Sequence, residues 1–525
     1  MPVFCQTVTI TFVVTWLKSC YHSVLQYLRP ESMSREQLEI CVVDPTGEPE
    51  KRKKIWPQHL AAVLATMSAA CAGAVDGWTA AGIPHLEQPY NLSDNITIPG
   101  ITYDEGSWIG SLSPLGSLVG AIPAGYLANL LGRRLLILLM AAPMLLGWVM
   151  IVLANNSILV LYTARFILGF TCGIITVASP LYSEEISEVR IRGALGVYLD
   201  LMFNVGILYV YIFGAVLPYL WMSIASTILP VLFAVSFFWM PESPIYLLSK
   251  GRIDEAEKSL CWLRGAGSQY SADIQDELKE MQSFIKASKV NTSASNDKIS
   301  IPAMISKSFK NISFTSATAK AMNIIFGLMA FRQLCGMNAV LAYTVEIFKV
   351  AGSSLNPHLC TIIVGIIQLM ATFIPSFIVD RVGRRVLLII SGAGMAVCLL
   401  AMVIRFYLLK QGIDIPFMGW LPVIAVNLYI VACSIGFGPL PWFMMPELLS
   451  NEAKNWVSSF AVCLNWALAF FVTKFFPIMI NDMGSEATYG TFLVICLLGT
   501  IFIMIFVPET KGKTREEIHH QLSSK

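Results

Sequence analysis

Twelve apolar stretches run through this chain, each close to or above the ~20 residues that cross a bilayer as a helix. They fall near residues 59–84, 107–130, 135–154, 158–180, 194–217 and 221–240, then near 320–347, 358–380, 386–409, 416–445, 455–481 and 489–507. A polar, helix-prone stretch, 241–319, separates the two sets of six. Lipid offers no hydrogen-bond partners, so stretches of this length fold as helices that satisfy their own backbone. Composition agrees: 13% of the 525 residues are charged, against about 25% in soluble proteins. The expected fold is an all-α membrane protein with twelve transmembrane helices in two six-helix halves. Its parts are an N-terminal segment (1–56), a first half (57–240), a helical insert (241–319), a second half (320–507) and a tail (508–525).

One span is interrupted. Ser434 to Glu447 reads SIGFGPLPWFMMPE, with Gly436, Gly438, Pro439 and Pro441 close together and Trp442 at the break. Such a break is tolerated at membrane depth where the freed backbone faces protein or a watery cavity. It is either a kink or a discontinuous helix lining a solute path. The chain is also internally duplicated. Gly125 to Arg134 after span 2 is matched by Asp380 to Arg385 after span 8, and Pro241-Glu-Ser-Pro after span 6 by Pro508-Glu-Thr-Lys after span 12. Glu185 with Arg192 after span 4 is matched by Glu447 with Lys454 after span 10. Repeats at one offset imply two halves related by an axis along the membrane normal, with the site between them.

Lys51, Arg52, Lys53 and Lys54 precede span 1. By the positive-inside rule they place both termini and the insert in the cytoplasm. The loop from His85 to Glu105 has no Lys or Arg and carries two sequons, so Asn91 and Asn95 are expected to be glycosylated. Sequons at Asn291 and Asn311 fall in the cytoplasmic insert and carry no such expectation. The apolar run Thr7 to Leu17 is too short to span and lacks a basic n-region. Residues 1–32 are either an interfacial segment or an extension ahead of a start at Met33, and transport should not need them. The twelve cysteines and six histidines show no metal-ligand spacing, so neither metal nor cofactor is expected. There is no P-loop and no catalytic constellation, hence no support for an enzyme or an ATP-driven pump. The net charge of +2 gives no ground for a nucleic-acid partner, and no obligate protein partner is evident.

Six short patterns, taken together in this order, carry a family resemblance. They are Arg165-Phe-x-x-Gly169, Pro180-x-Tyr182-x-x-Glu185 with Arg192-Gly193, Pro241-Glu-Ser-Pro244, Gln333-Leu-x-Gly-x-Asn338-Ala-Val, Gly436-x-Gly-Pro-x-Pro-Trp442 and Pro508-Glu-Thr-Lys-Gly512. Over roughly residues 57–520 the chain resembles the sugar porters of the major facilitator superfamily. Gly77-Trp-Thr and Gln368 are most similar to the arthropod facilitated trehalose and hexose transporters. The resemblance implies facilitated uniport of a small sugar, such as trehalose or a hexose, across the cell membrane by alternating access. A proton-coupled sugar or polyol symporter is the first alternative and a transport-inactive nutrient receptor the second. A receptor of that kind would be expected to carry a longer tail than 508–525.

Within the spans, Gln333, Asn338, Gln368 and Asn465 offer amide groups, and Trp442 and Trp466 offer apolar ring faces. A sugar needs both, paired hydrogen bonds for its hydroxyls and flat apolar surface for its C–H faces. Taken singly, each amide is equally well a packing group between helices. Gly336 would let span 7 bend between Gln333 and Asn338. At the cytoplasmic ends, Arg133, Arg134, Glu185 and Arg192 of the first half and Asp380, Arg384, Arg385, Glu447 and Lys454 of the second are candidates for an inner gate latched across the halves. The simpler reading of these charges is positive-inside topology. Against the resemblance, Asn129 stands where Asp is common and Lys454 where Arg is usual, losing bidentate geometry.

Four charges fall inside apolar spans, where each costs roughly 2.5–3.5 kcal/mol near the bilayer centre. Asp76 and Arg165 both sit about 11 Å deep at 1.5 Å per residue, making them a possible proton-carrying or structural pair, although Val75-Asp76-Gly77 departs from the pattern of proton-coupled relatives. Asp200 and Arg332 stand where sugar porters usually carry substrate-touching glutamines. An opposite pair offsets the cost of two lone charges, so a salt bridge across the cavity is the simplest account of them; the alternative is that each points into its own wet pocket.

Overall fold

The computed structural model describes residues 55–87, 90–93, 96–98, 100–154, 157–188, 190–265, 272–293, 316–413, 416–449, 451–513, 517–518 and 521–522. The expectations for residues 1–32, for Lys51 to Lys54, and for Asn95 and Asn311 lie outside the described residues, as do the side chains of Asn91, Asn291, Asp380 and Lys454.

With nothing in lipid to bond a free backbone group, the apolar stretches fold as helices. In the first half these are α1 (Trp56–Leu86), α2 (Tyr103–Leu131), α3 and α4 (Arg133–Leu139 and Ala141–Leu153, one span), α5 (Ile158–Ile186), α6 (Arg192–Val216) and α7 (Tyr219–Phe237). The second half has α11 and α12 (Ser316–Leu334 and Met337–Ala342, one span, followed by α13, Thr344–Val350). It continues with α14 and α15 (Pro357–Ala371 and Ile374–Val382), α16 (Arg384–Lys410), α17 and α18 (Leu421–Ile435 and Leu440–Leu448), α19 (Asn451–Met483) and α20 (Ser485–Phe506). Among the described residues, 11 helices meet the length and hydropathy of a membrane span. The remaining span, span 8, is divided between α14 and α15, just ahead of Pro375. The six-plus-six architecture of the major facilitator fold follows.

Local chemistry sets the boundaries. Thr102 and Glu105 form a reciprocal capping box that starts α2, with the Glu105 Oε2 accepting from the Thr102 N–H at 2.7 Å. Span 7 breaks at Gly336, which holds φ 93° between Gln333 and Asn338 as its position suggested. Span 10 breaks between Ile435 and Leu440, so the glycine–proline stretch is a true discontinuity between two helices.

Helix packing within the first half depends on small residues, as expected where lipid supplies no hydrophobic drive between helices. A Cβ on Gly173 would lie 2.1 Å from the Ser117 carbonyl oxygen, and one on Gly206 would lie 1.9 Å from that of Ala70. The Ser117 hydroxyl donates to the Gly169 carbonyl at 3.0 Å, fastening α2 to α5.

Between the halves, α8 (Pro244–Ser249), α9 (Ile253–Leu263) and α10 (Ala272–Ser293) build a small core of their own around Tyr246, Leu247, Leu260, Ile274 and Leu278. Arg264 ties this insert to α5, bonding the Ile186 carbonyl at 3.2 Å and Glu188 at 3.3 Å, and Gln58 at the start of α1 donates to Glu188 at 3.0 Å. This is called the insert end. The opposite end carries a short antiparallel hairpin, β1 (Tyr90–Ser93) with β2 (Ile96–Ile98), in which Asn91 pairs with Thr97. The expectation of helices alone did not include it. This is the hairpin end.

Gly173→Val should force α2 and α5 apart at a cost of about 1–3 kcal/mol. Gly193→Ala, whose added methyl meets nothing within 4 Å, should leave stability unchanged. Melting curves of the purified protein in detergent check the contrast.

Candidate functional site

The breaks in spans 7 and 10 open onto one cavity. It is lined by Asp200 and Asn204 of α6, Arg332 and Gln333 of α11, Asn338 of α12, Gln368 of α14 with Thr372 just after it, and Gly438, Pro439 and Trp442 at the span 10 break. Its volume of about 160 Å³ is far above the ~10–15 Å³ that one water requires, so it has room for more than a single water. First-half and second-half residues face each other across it.

The amides form two clusters. In the second half, the Asn465 Oδ1 accepts from the Gln333 Nε2 and from the Arg332 Nη1, both at 2.7 Å. The Arg332 Nε donates to the Gly438 carbonyl at 3.1 Å, and its guanidinium lies 5.6 Å from the Trp442 ring centre. The break in span 10 supplies that acceptor: the Trp442 N–H turns to the Pro439 carbonyl instead, leaving Gly438 free for Arg332. The second cluster crosses between the halves. The Gln368 Nε2 donates to the Asn204 Oδ1 at 2.8 Å, and the Asn204 Nδ2 donates to the Thr372 Oγ1 at 2.7 Å. The Gln368 Oε1 is buried with no partner, a group that a ligand hydroxyl would satisfy.

The structure corrects several expectations. Asp200 and Arg332 line the same cavity but form no ion pair within 4 Å. Arg332 is held by neutral acceptors on its own half, while the Asp200 side chain is exposed to the cavity. Trp466 does not line the cavity. Nor does Asn465, the other expected residue on α19: it stands behind Arg332 and Gln333, which both donate to its Oδ1. Asp76 is not an ion-pair partner of Arg165. The Arg165 guanidinium donates to the Val75 carbonyl (2.7 Å), the Thr79 hydroxyl (2.7 Å) and the Ile109 carbonyl (3.0 Å), with Trp78 beneath it at 5.2 Å. Arg165 therefore pins α1, α2 and α5 together. Asn204 was missed, although it lies one turn from Asp200 on the same helix face. Arg405 and Lys474 were also missed as intramembrane charges. Both are buried, and Arg405 donates to the Ala351 carbonyl at 3.2 Å.

At the insert end the duplication is visible atom for atom. Glu185 pairs with Arg133 at 2.9 Å and accepts from the Ser243 hydroxyl; Glu447 pairs with Arg384 at 3.3 Å and accepts from the Thr510 hydroxyl at 2.7 Å. Gly132 and Gly383, at φ 100° and 102°, turn the chain so that the next two backbone N–H groups point at one carboxylate. Glu242 receives those of Arg133 and Arg134, and Glu509 those of Arg384 and Arg385. Arg134 and Arg385 then reach the Phe238 and Met504 carbonyls. Glu242 and Glu509 were legible only as a repeat, not as part of the cluster. The expected latch across the halves is not formed: among the described residues these ion pairs stay within one half, because each cluster closes around its own glycine turn. Arg192 is exposed.

Contact across the halves instead gathers at the hairpin end. The Lys474 ammonium of α19 bonds Asp104 and the Ser107 hydroxyl of α2, each at 2.7 Å, and sits 4.2 Å from the Trp108 ring centre. Trp108 meets Phe470, and His85 stacks on His358 with ring centres 6.2 Å apart.

Comparison with known proteins agrees with this architecture. Residues 65–522 match the family described as sugar (and other) transporter. The chain is 37% identical over 470 residues to the facilitated trehalose transporter Tret1 of Bombyx mori, covering 90% of this chain and 88% of that one. It is 36% identical over 468 residues to Tret1 of Aedes aegypti, covering 89% of this chain and 55% of that one. The chain thus spans about half the length of several of the curated relatives it matches. Among solved structures it is similar to the inward open conformation of the xylose transporter XylE from E. coli, with TM-score 0.68, 23% identity and 88% and 98% of the two chains covered. A second XylE structure, bound to 6-bromo-6-deoxy-D-glucose, gives TM-score 0.66 at 23% identity, with 89% and 99% covered. At that identity the likeness speaks for the fold. By its fold, its motifs and these matches, the chain belongs to the sugar (and other) transporter family.

Proposed function

We propose that this protein carries a small sugar, trehalose or a hexose, down its gradient across the cell membrane by alternating access. The observation that carries the reading is the cavity between the halves, walled by amides and with the Gln368 Oε1 left unpartnered. A sugar offers hydroxyl donors to that acceptor and to the Asp200 carboxylate, and hydroxyl acceptors to the amide groups of Asn338 and Gln333. Trp442 supplies apolar surface, one face of it shared with Arg332. The name of the Tret1 relatives, facilitated trehalose transporter, supports uniport of such a solute. Arg165, the base of the possible proton-carrying pair, is bound by neutral acceptors and not by Asp76, which favours uniport over proton coupling. In this reading the termini and insert face the cytoplasm and the hairpin end faces outward. The parts retain the bounds given above: 57–240 and 320–507 as the transporting halves, and 241–319 as the insert.

A panel of radiolabelled sugars, offered to transporter-deficient cells expressing this chain, should reveal saturable uptake of trehalose or a hexose. Gln368→Ala leaves Asn204 short of a partner and removes a solute contact, so it should raise KM by about 5- to 100-fold. Absence of uptake for every sugar tested would sink the proposal.

Collapsing the proton gradient with a protonophore should leave the initial uptake rate unchanged. A rate that falls with the gradient would favour the symporter. For orientation, a glycosidase should increase gel mobility of the wild type but not of the doubly substituted Asn91→Gln, Asn95→Gln protein.

A further inference from the structure

Charges at the insert end pair within their own half, whereas at the hairpin end a pair crosses the seam. We propose that Asp104 and Lys474 form the ionic latch that holds the halves together at the hairpin end, and that its breaking admits solute to the cavity from that side. The inference rests on the transport cycle proposed above.

Three features single out this bond. Its two members sit on α2 and α19, helices from opposite halves that run side by side. Its burial is one-sided: the Lys474 side chain is 8% exposed and that of Asp104 is 70% exposed. An ammonium buried among apolar neighbours is costly unless it keeps a carboxylate and further hydrogen bonds. Here every polar group that holds it, Asp104 and Ser107, and the ring of Trp108 come from the first half. Separation of the halves would strip the lysine of all three at once. Yet the bond is releasable, because Asp104 already stands in water and Lys474 gains hydration as the seam parts.

The third feature is what the latch works against. Glu87, at the end of α1, and Glu346 of α13 come from opposite halves and repel each other. Burial first, and the Glu346 charge second, push the Glu87 carboxyl up to about 7, while Lys349 pulls the other way. Tyr103, His85 and His358 complete the neighbourhood. Closure thus sets two acids near each other with Lys349 beside them, and Asp104 with Lys474 is the ion pair, among the described residues, that spans the seam at this end. At the insert end no ion pair crosses among the described residues, so that end is free to part while the hairpin end is shut.

The test uses the full chain carrying Leu341→Cys, a cavity-lining position, with the unsubstituted chain as background. A membrane-impermeant thiol reagent is applied to right-side-out and inside-out vesicles. Asp104→Asn and Lys474→Met should each raise the labelling rate from the hairpin side by roughly tenfold, within the range of ordinary conformational coupling. The exchanged pair Asp104→Lys, Lys474→Asp should return the rate towards that of the parent. If Lys474→Met fails to accumulate, Asp104→Asn, altered at a largely exposed side chain, decides the matter. Unchanged labelling in Asp104→Asn, or no recovery in the exchanged pair, overturns the latch. Labelling needs no sugar, so a failed sugar panel and a failed latch are distinguishable.

Discussion

Every backbone polar group of this protein that lies at bilayer depth must find its partner inside the protein, and the rest of the structure is arranged around that demand. Long helices meet it by themselves. Where a span is broken, something else must fill in. At Gly436 to Pro439 the freed Gly438 carbonyl is taken by the Arg332 guanidinium, which is also bound by Asn465. One side chain thereby repairs the broken helix and shapes the cavity wall. The buried Arg165 also donates to backbone, the carbonyls of Val75 and Ile109, and so ties α5 to the unbroken α1 and α2. Charges that look like functional pairs in the sequence prove instead to be partners of the backbone.

The same demand separates rigid from movable parts. Within the first half, Gly173 and Gly206 allow backbones to approach so closely that a single methyl group has no room, and such contacts resist sliding. Each insert-end charge cluster closes on its own half. Between the halves, by contrast, the described side-chain bonds are polar and sparse: Asn204 with Gln368 and Thr372 in the middle, the Tyr211 hydroxyl to the Leu341 carbonyl at 3.0 Å, and Lys474 with Asp104 and Ser107 at the hairpin end. Polar bonds can be exchanged for bonds to water or solute at small net cost, which suits a seam that must open and close.

Much of this was legible in the residues. Segment lengths and hydropathy give the spans, the repeated Gly-Arg-Arg and Pro-Glu patterns give the two halves, and the glycine–proline stretch gives the broken helix. Gln333, Asn338, Gln368 and Trp442 reach the cavity because each sits on a span whose register is fixed by its apolar neighbours. Asn465 and Trp466 do not: Asn465 is taken up by Arg332 and Gln333, which stand between it and the cavity. Lys474 was hidden by the phenylalanines around it, which keep the hydropathy of α19 high.

The chain's own sequence determined that it folds as twelve membrane helices in two related halves, because burial in lipid reads length and apolarity, both of which are local properties. It also determined which residues bring amides and rings to the spans. Only the tertiary structure decided how the charges are partnered. Arg332 chose Gly438 and Asn465 over Asp200, Arg165 chose carbonyls over Asp76, and the glutamates of the insert end chose arginines of their own half. A long side chain reaches several acceptors, and the one it takes depends on distances of an ångström or two between helices far apart in sequence. No local pattern encodes those distances.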